Sequence, residues 1–82
     1  MDKDNIIIRF RYKNKEVDLD VPSSITAQDF IVAVNEAYDL NIDITDIKNC
    51  HLQAENPIVL LKGNKKLSEF GIHNGTLIYF AN

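Results

Sequence analysis

One cysteine in 82 residues, Cys50, leaves the chain without an internal disulfide framework, a zinc cluster of thiolates or a four-thiolate iron–sulfur site. A lone thiol suits a reducing compartment. Long hydrophobic runs are also missing: Ile6-Ile7-Ile8 and Ile58 to Leu61 fall far short of the roughly 20 residues a spanning helix needs. The opening Met1-Asp2-Lys3-Asp4-Asn5 is polar and acidic, unlike a secretory signal. The expectation is a cytoplasmic protein, at most peripheral to a membrane complex and not inserted directly. Basic residues are in deficit, nine against twelve acids for a net charge of −3. No basic stripe is present to release counterions from a phosphate backbone, so nucleic acid is not the expected partner.

What is present is an ordinary globular composition, 45% hydrophobic and 26% charged, which argues against wholesale disorder. A chain of this length forms one domain, residues 1–82, and buries roughly 60–65% of its unfolded surface. Two strands are expected at Asn5 to Tyr12 and Glu16 to Val21. A turn at Asn14-Lys15 would set Arg11 opposite Asp18 and Arg9 opposite Asp20. That arrangement places Ile8, Phe10, Tyr12, Val17, Leu19 and Val21 on one face, with arginines and acids on the other. After Pro22, Thr26 is a helix cap with Asp29 three residues on, and Ile25 can staple onto Phe30. Ala27, Phe30, Ile31, Val34, Ala37 and Tyr38 then share one helical face, and Asn41 is the expected left-handed stop. Asn41 to Asn49 is expected to be a loop with at most one helical turn. Short strands are expected at Cys50 to Ala54 and Ile58 to Lys62, a 3₁₀-like turn at Leu67 to Phe70, and a closing strand at Thr76 to Phe80. The order is ββαββ, a short turn, then β. One helix across a mixed sheet makes a two-layer α+β domain, with the last strand parallel to the first.

Two segments carry a family resemblance: Val17 to Phe30, VDLDVPSSITAQDF, and Leu67 to Phe80, LSEFGIHNGTLIYF. The chain resembles the ubiquitin-like, or β-grasp, fold, and within it the bacterial YukD/EsaB family of type VII secretion accessory proteins. The resemblance implies a non-enzymatic adaptor that binds a cytosolic part of the membrane complex exporting WXG-type helical-hairpin substrates. Ubiquitin-like modifiers and sulfur carriers react through a flexible Gly-Gly carboxylate. Tyr79-Phe80-Ala81-Asn82 carries no such tail, so attachment to targets is not expected. The alternative is a modifier or sulfur carrier whose Gly-Gly tail lies outside this chain. A ubiquitin-like regulatory protein unrelated to secretion is a third possibility.

Catalytic, cofactor and metal sites are not expected. His51 and His73 have no acid or thiol at ligand spacing around both. Cys50 and His51 are neighbours on a predicted strand, so they point to opposite faces and cannot form a nucleophile–base pair. If Leu52 faces the core, Cys50 does too, as a small inert residue. The acids Glu16, Asp18 and Asp20 are expected to pair with the basic residues across the hairpin rather than to form a recognition edge. The candidate protein-binding surface is the sheet face away from the helix. If Leu77 and Tyr79 point at the helix, Ile78 and Phe80 point outward beside Ile7. Arg9 and Arg11 then form the rim, and His51 and Gln53 the flank. The second and fourth strands are the expected sheet edges.

Overall fold

In the computed structural model, residues 4–80 are described; the polar start Met1 to Lys3 and the Ala81-Asn82 end lie outside the described residues. The elements are β1 (Asn5–Tyr12), β2 (Lys15–Pro22), α1 (Ala27–Tyr38), β3 (Leu52–Glu55), β4 (Val59–Leu61) and β5 (Leu77–Tyr79). Two 3₁₀ segments, Ile44–Asn49 and Leu67–Phe70, complete the order. The sheet runs β2-β1-β5-β3-β4, with β5 parallel to β1 and the other pairs antiparallel. This is the mixed sheet and single crossing helix of a β-grasp fold, with β2 and β4 at its edges.

The hairpin differs from expectation by two residues. Its turn is Lys13-Asn14, both at positive φ (46° and 65°), and Tyr12 pairs with Lys15. A two-residue hairpin turn of type I′ requires positive φ at both central positions, and Asn14 tolerates it well. The turn one position earlier sets Arg11 opposite Glu16 and Arg9 opposite Asp18. A two-residue shift preserves every side chain's face, so Ile8 and Phe10 are buried as the alternation requires.

At the helix start the Thr26 hydroxyl accepts the backbone N–H of Asp29 at 3.2 Å. Ala27, Phe30, Ile31 and Val34 are buried, whereas Ala37, expected on the same stripe, is exposed. The helix stops two residues earlier than expected, at Asp39 in the left-handed region, whose N–H bonds to the Asn35 carbonyl. Asn41 is also left-handed (φ 66°), but it lies in the loop beyond. The Asn35 side chain holds that loop from both sides, accepting from the Ile42 N–H at 2.8 Å and donating to the Ile42 carbonyl at 3.3 Å. Tyr38 packs on Tyr12 with the rings tilted by 34° and their centroids 4.5 Å apart, which ties the helix end to β1.

β5 is positioned by the turn before it. The Asn74 side chain accepts the Ile7 N–H at 2.7 Å, the Gly75 N–H bonds the Ile7 carbonyl at 2.9 Å, and the Arg9 N–H bonds the Thr76 carbonyl at 2.9 Å. Gly75 has φ 90°, a conformation that glycine adopts without a Cβ penalty. The fully buried Thr76 is satisfied on both sides: its hydroxyl accepts from the His73 N–H at 3.1 Å and donates to the Asn56 carbonyl at 3.0 Å. These bonds set Ile78 beside Phe10 on one side and Ala54 on the other. Ile8, Phe10, Phe30, Ile31, Leu52, Leu61, Leu67 and Ile78 are the largest apolar side chains of the core between helix and sheet. Each such burial is worth roughly 1.5–3 kcal/mol before ordering costs. No helix of the described residues is long and apolar enough to cross a membrane.

Candidate functional site

The pairing of β5 with β1 and β3 inverts the expected orientation of the closing strand. Phe10 and Ala54 face the helix, so their neighbour Ile78 does too, and its exposure is 0%. Ile78 is therefore a core residue, and the expectation that it is a surface anchor is corrected. Phe80 shares its side by alternation and packs, partly buried, against the same core. The outward residues of β5 are Leu77 and Tyr79, both partly exposed.

Registers across the sheet assemble the outer face in rows. One row runs Glu16, Arg11, Tyr79, Gln53, Leu60; the next runs Asp18, Arg9, Leu77, Glu55. Ile7, 46% exposed, stands opposite Asp20 and shares with Arg9, Arg11 and Leu77 the lining of a shallow depression of about 490 Å³. The face thus grades from acids on β2, through arginines on β1, to apolar and aromatic side chains on β5. Of the predicted residues, Ile7, Arg9, Arg11 and Gln53 come together here. His51 precedes β3 and lines a different depression with Phe80, Ile42 and Cys50.

The arginines are already engaged. Arg11 donates through Nε to Glu16 at 2.9 Å, with a second approach of its guanidinium at 2.7 Å, while Arg9 lies 3.7 Å from both Glu16 and Asp18. These pairs are largely exposed, so each is worth about 0–1 kcal/mol. Glu16 and Asp18 are therefore partners of the hairpin's own bases, whereas Asp20, expected opposite Arg9, stands opposite Ile7 and accepts from the Asn5 side-chain amide at 3.0 Å. A binding protein would find a rim of low net charge around an apolar centre.

Cys50 sits after the Ile44–Asn49 turn, where its thiol donates to the carbonyls of Asp43 (3.2 Å) and Asp46 (3.4 Å). Desolvation, then the nearby Asp46 and Asp43 carboxylates, push its pKa up from the ordinary value, which disfavours the reactive thiolate. Asp43, by contrast, is held below the usual carboxylate range by hydrogen bonds from the Thr45 hydroxyl and backbone N–H. His73 Nδ1 lies 2.9 Å from the Asn74 carbonyl and takes part in the turn before β5.

Leu77, Tyr79 and Leu60 are surface residues that the strand pattern does not single out. LIYF is apolar at every position, so its alternation cannot say which side faces in. The available signal is the turn: Asn74-Gly75 anchors to Ile7, and counting onward in parallel from there brings Ile78 beside Phe10.

The family model described as the WXG100 protein secretion system (Wss) protein YukD matches residues 6–80. No curated protein matches the chain. Among solved structures, the C-terminal ubiquitin-like domain of mouse tubulin-specific chaperone e is similar at TM-score 0.67 and 12% identity, covering 95% of this chain and 88% of that one. A ubiquitin-like domain from Arabidopsis thaliana gives 0.64 at 18% identity, with 92% and 73% covered. The ubiquitin-like domain of the Mycobacterium tuberculosis type VII secretion system protein EccD1 gives 0.57 at 16% identity, with 95% and 98% covered. At these identities the likeness is one of fold.

Proposed function

This chain belongs to the YukD family of the WXG100 protein secretion system, and we propose that it is a non-enzymatic adaptor that binds a cytosolic component of that system through the outer face of its sheet. The observation that carries the proposal is the exposed Ile7 together with the partly exposed Leu77 and Tyr79 on the outer side of a sheet whose inner side packs against the helix. Apolar and aromatic anchors at the centre of a patch supply most binding energy, and a paired rim mainly tunes rate and register. Arg9 and Arg11 take the rim role and Gln53 the flank. A secretion component is the partner class that family membership favours, and the similar EccD1 domain belongs to such a system.

Site-specific photo-crosslinking in a cell that carries the secretion system tests this. A crosslinker at position 7, 77 or 79 is expected to trap a component of the complex, and one at position 36, on the exposed side of the helix, to trap none. Adducts from position 36 alone, or only with proteins outside the system, would contradict it. The proposal includes no covalent attachment to targets. Intact mass of the native protein is expected to give one unmodified species, and a glycine-ended or target-linked form would overturn that part.

A further inference from the structure

The two edges of the sheet differ in chemistry. β2 is guarded along its length by Glu16, Asp18 and Asp20 and ends at Pro22, the usual devices that keep an edge from pairing with another chain. β4, three residues long between Pro57-Ile58 and Lys62, has no charged residue or proline within it. Its sequence is Val59-Leu60-Leu61, and no backbone hydrogen bond outside the β3 ladder involves it among the described residues. Ile58, just before it, is 87% exposed and Leu60 is 45% exposed. Both line one depression with Tyr79, so they stand on the outer side. Alternation continues that line to Lys62.

Charge adds the second observation. Lys62, Lys65 and Lys66 fall within five residues directly after β4, and no acid occurs from Pro57 through Leu67. All three are exposed, and none forms an ion pair with a carboxylate among the described residues, in contrast to Arg9 and Arg11. Lys65 lies over the Phe70 ring at 5.0 Å, and the Gly63 and Lys65 carbonyls receive the Gln28 and Ala27 N–H groups. The basic loop is thereby pinned to the helix start and held beside the open edge. In a chain of net charge −3, this is a local excess of unpaired positive charge next to an apolar strand edge.

We infer that the β4 edge is a second binding site, which takes an extended, acidic segment of a partner protein as an added strand. The segment's backbone pairs with Val59–Leu61, its apolar side chains seat on Ile58 and Leu60, and its carboxylates meet Lys62 and Lys65. With only three residues of edge, main-chain bonds are few. The charges then carry much of the selectivity, and binding weakens with salt.

The test is an NMR titration of the ¹⁵N-labelled full chain with a nine-residue peptide in which two glutamates at each end flank a five-residue core of alternating threonine and valine. Its counterpart with lysines in place of the glutamates and phosphatidylglycerol vesicles serve as the other arms. Saturable shifts at residues 58–66, with Ile7 and Arg9 unmoved, are expected from the acidic peptide alone. Affinity is expected to fall about tenfold in Lys62→Glu/Lys65→Glu and again at high salt. Leu60→Glu, which places on the edge a charge of the peptide's own sign, is expected to abolish the shifts with the fold retained. Absence of saturable binding by the acidic peptide, equal binding of the lysine peptide, saturation at Ile7 to Arg11 instead, or vesicle binding through the same lysines would each overturn the inference. So would concentration-dependent broadening at Leu60 without peptide, which would assign the edge to a second copy of the chain. Any of these failures leaves the sheet-face proposal standing, because neither Lys62 nor Lys65 belongs to it.

Discussion

The two faces of the sheet are built from the same strands and differ in burial and chemistry. On the inner side Ile8, Phe10, Leu52, Ala54 and Ile78 are withdrawn from water under the helix. On the outer side their immediate neighbours Ile7, Arg9, Arg11, Gln53, Leu77 and Tyr79 keep surface. Side chains one position apart along a strand thus serve the packed core on one side and, in our proposal, recognition on the other. A single residue of misassignment exchanges the two, and Ile78 is the residue on which the strand pattern and the fold disagree.

The strongest way to break this comparison is to truncate adjacent residues of β5. Ile78→Ala is expected to lower unfolding free energy by about 2–5 kcal/mol, because it leaves a cavity in a packed core. Tyr79→Ser is expected to cost only about 1 kcal/mol or less, as a cross-strand surface pair. Urea unfolding of both variants compares them directly, and equal losses would break the assignment of faces. Thr26→Ala comes next, at about 0.5–2 kcal/mol, since it leaves the Asp29 N–H without its cap. Arg11→Ala is smaller, about 0–1 kcal/mol, and its effect should shrink at high salt.

The smallest effect concerns the loop side of the molecule and depends on pH. Asp43's folded pKa is depressed, so its contribution is present above the unfolded value and is lost as pH falls through the folded one. Acidification from the ordinary value of 3.8 downward should loosen the Ile44–Asn49 turn. NMR titration of Asp43 in the native chain and in Thr45→Val checks this, and an unchanged pKa in the variant would contradict it.

Much of the architecture is legible in the amino-acid sequence. The hairpin faces, the Thr26 cap and the Leu67–Phe70 turn each follow from a local pattern whose period or chemistry has one good solution, and the parallel closing strand follows from the order of the elements. The turn at Lys13-Asn14 does not, because both candidate turns contain Asn14, and only the φ requirement at two successive positions separates them. The helix stop moves to Asp39 because Asn35 holds the following loop, a contact between side chain and distant backbone that no local pattern announces. Of the candidate site, Ile7, Arg9, Arg11 and Gln53 are legible because their strands alternate cleanly. The β5 anchors are not, because Leu77-Ile78-Tyr79-Phe80 is apolar on both sides and its orientation is decided by pairing with Phe10 and Ala54.

The central claim is that recognition resides on the outer face, and export of WXG100 proteins tests it most directly. In a cell whose only copy carries Leu77→Ser/Tyr79→Ser, the protein should accumulate normally and melt as a folded domain. Its affinity for the trapped partner should fall about tenfold or more, and export should fall with it. Unchanged partner affinity and unchanged export by the folded double variant would contradict the account.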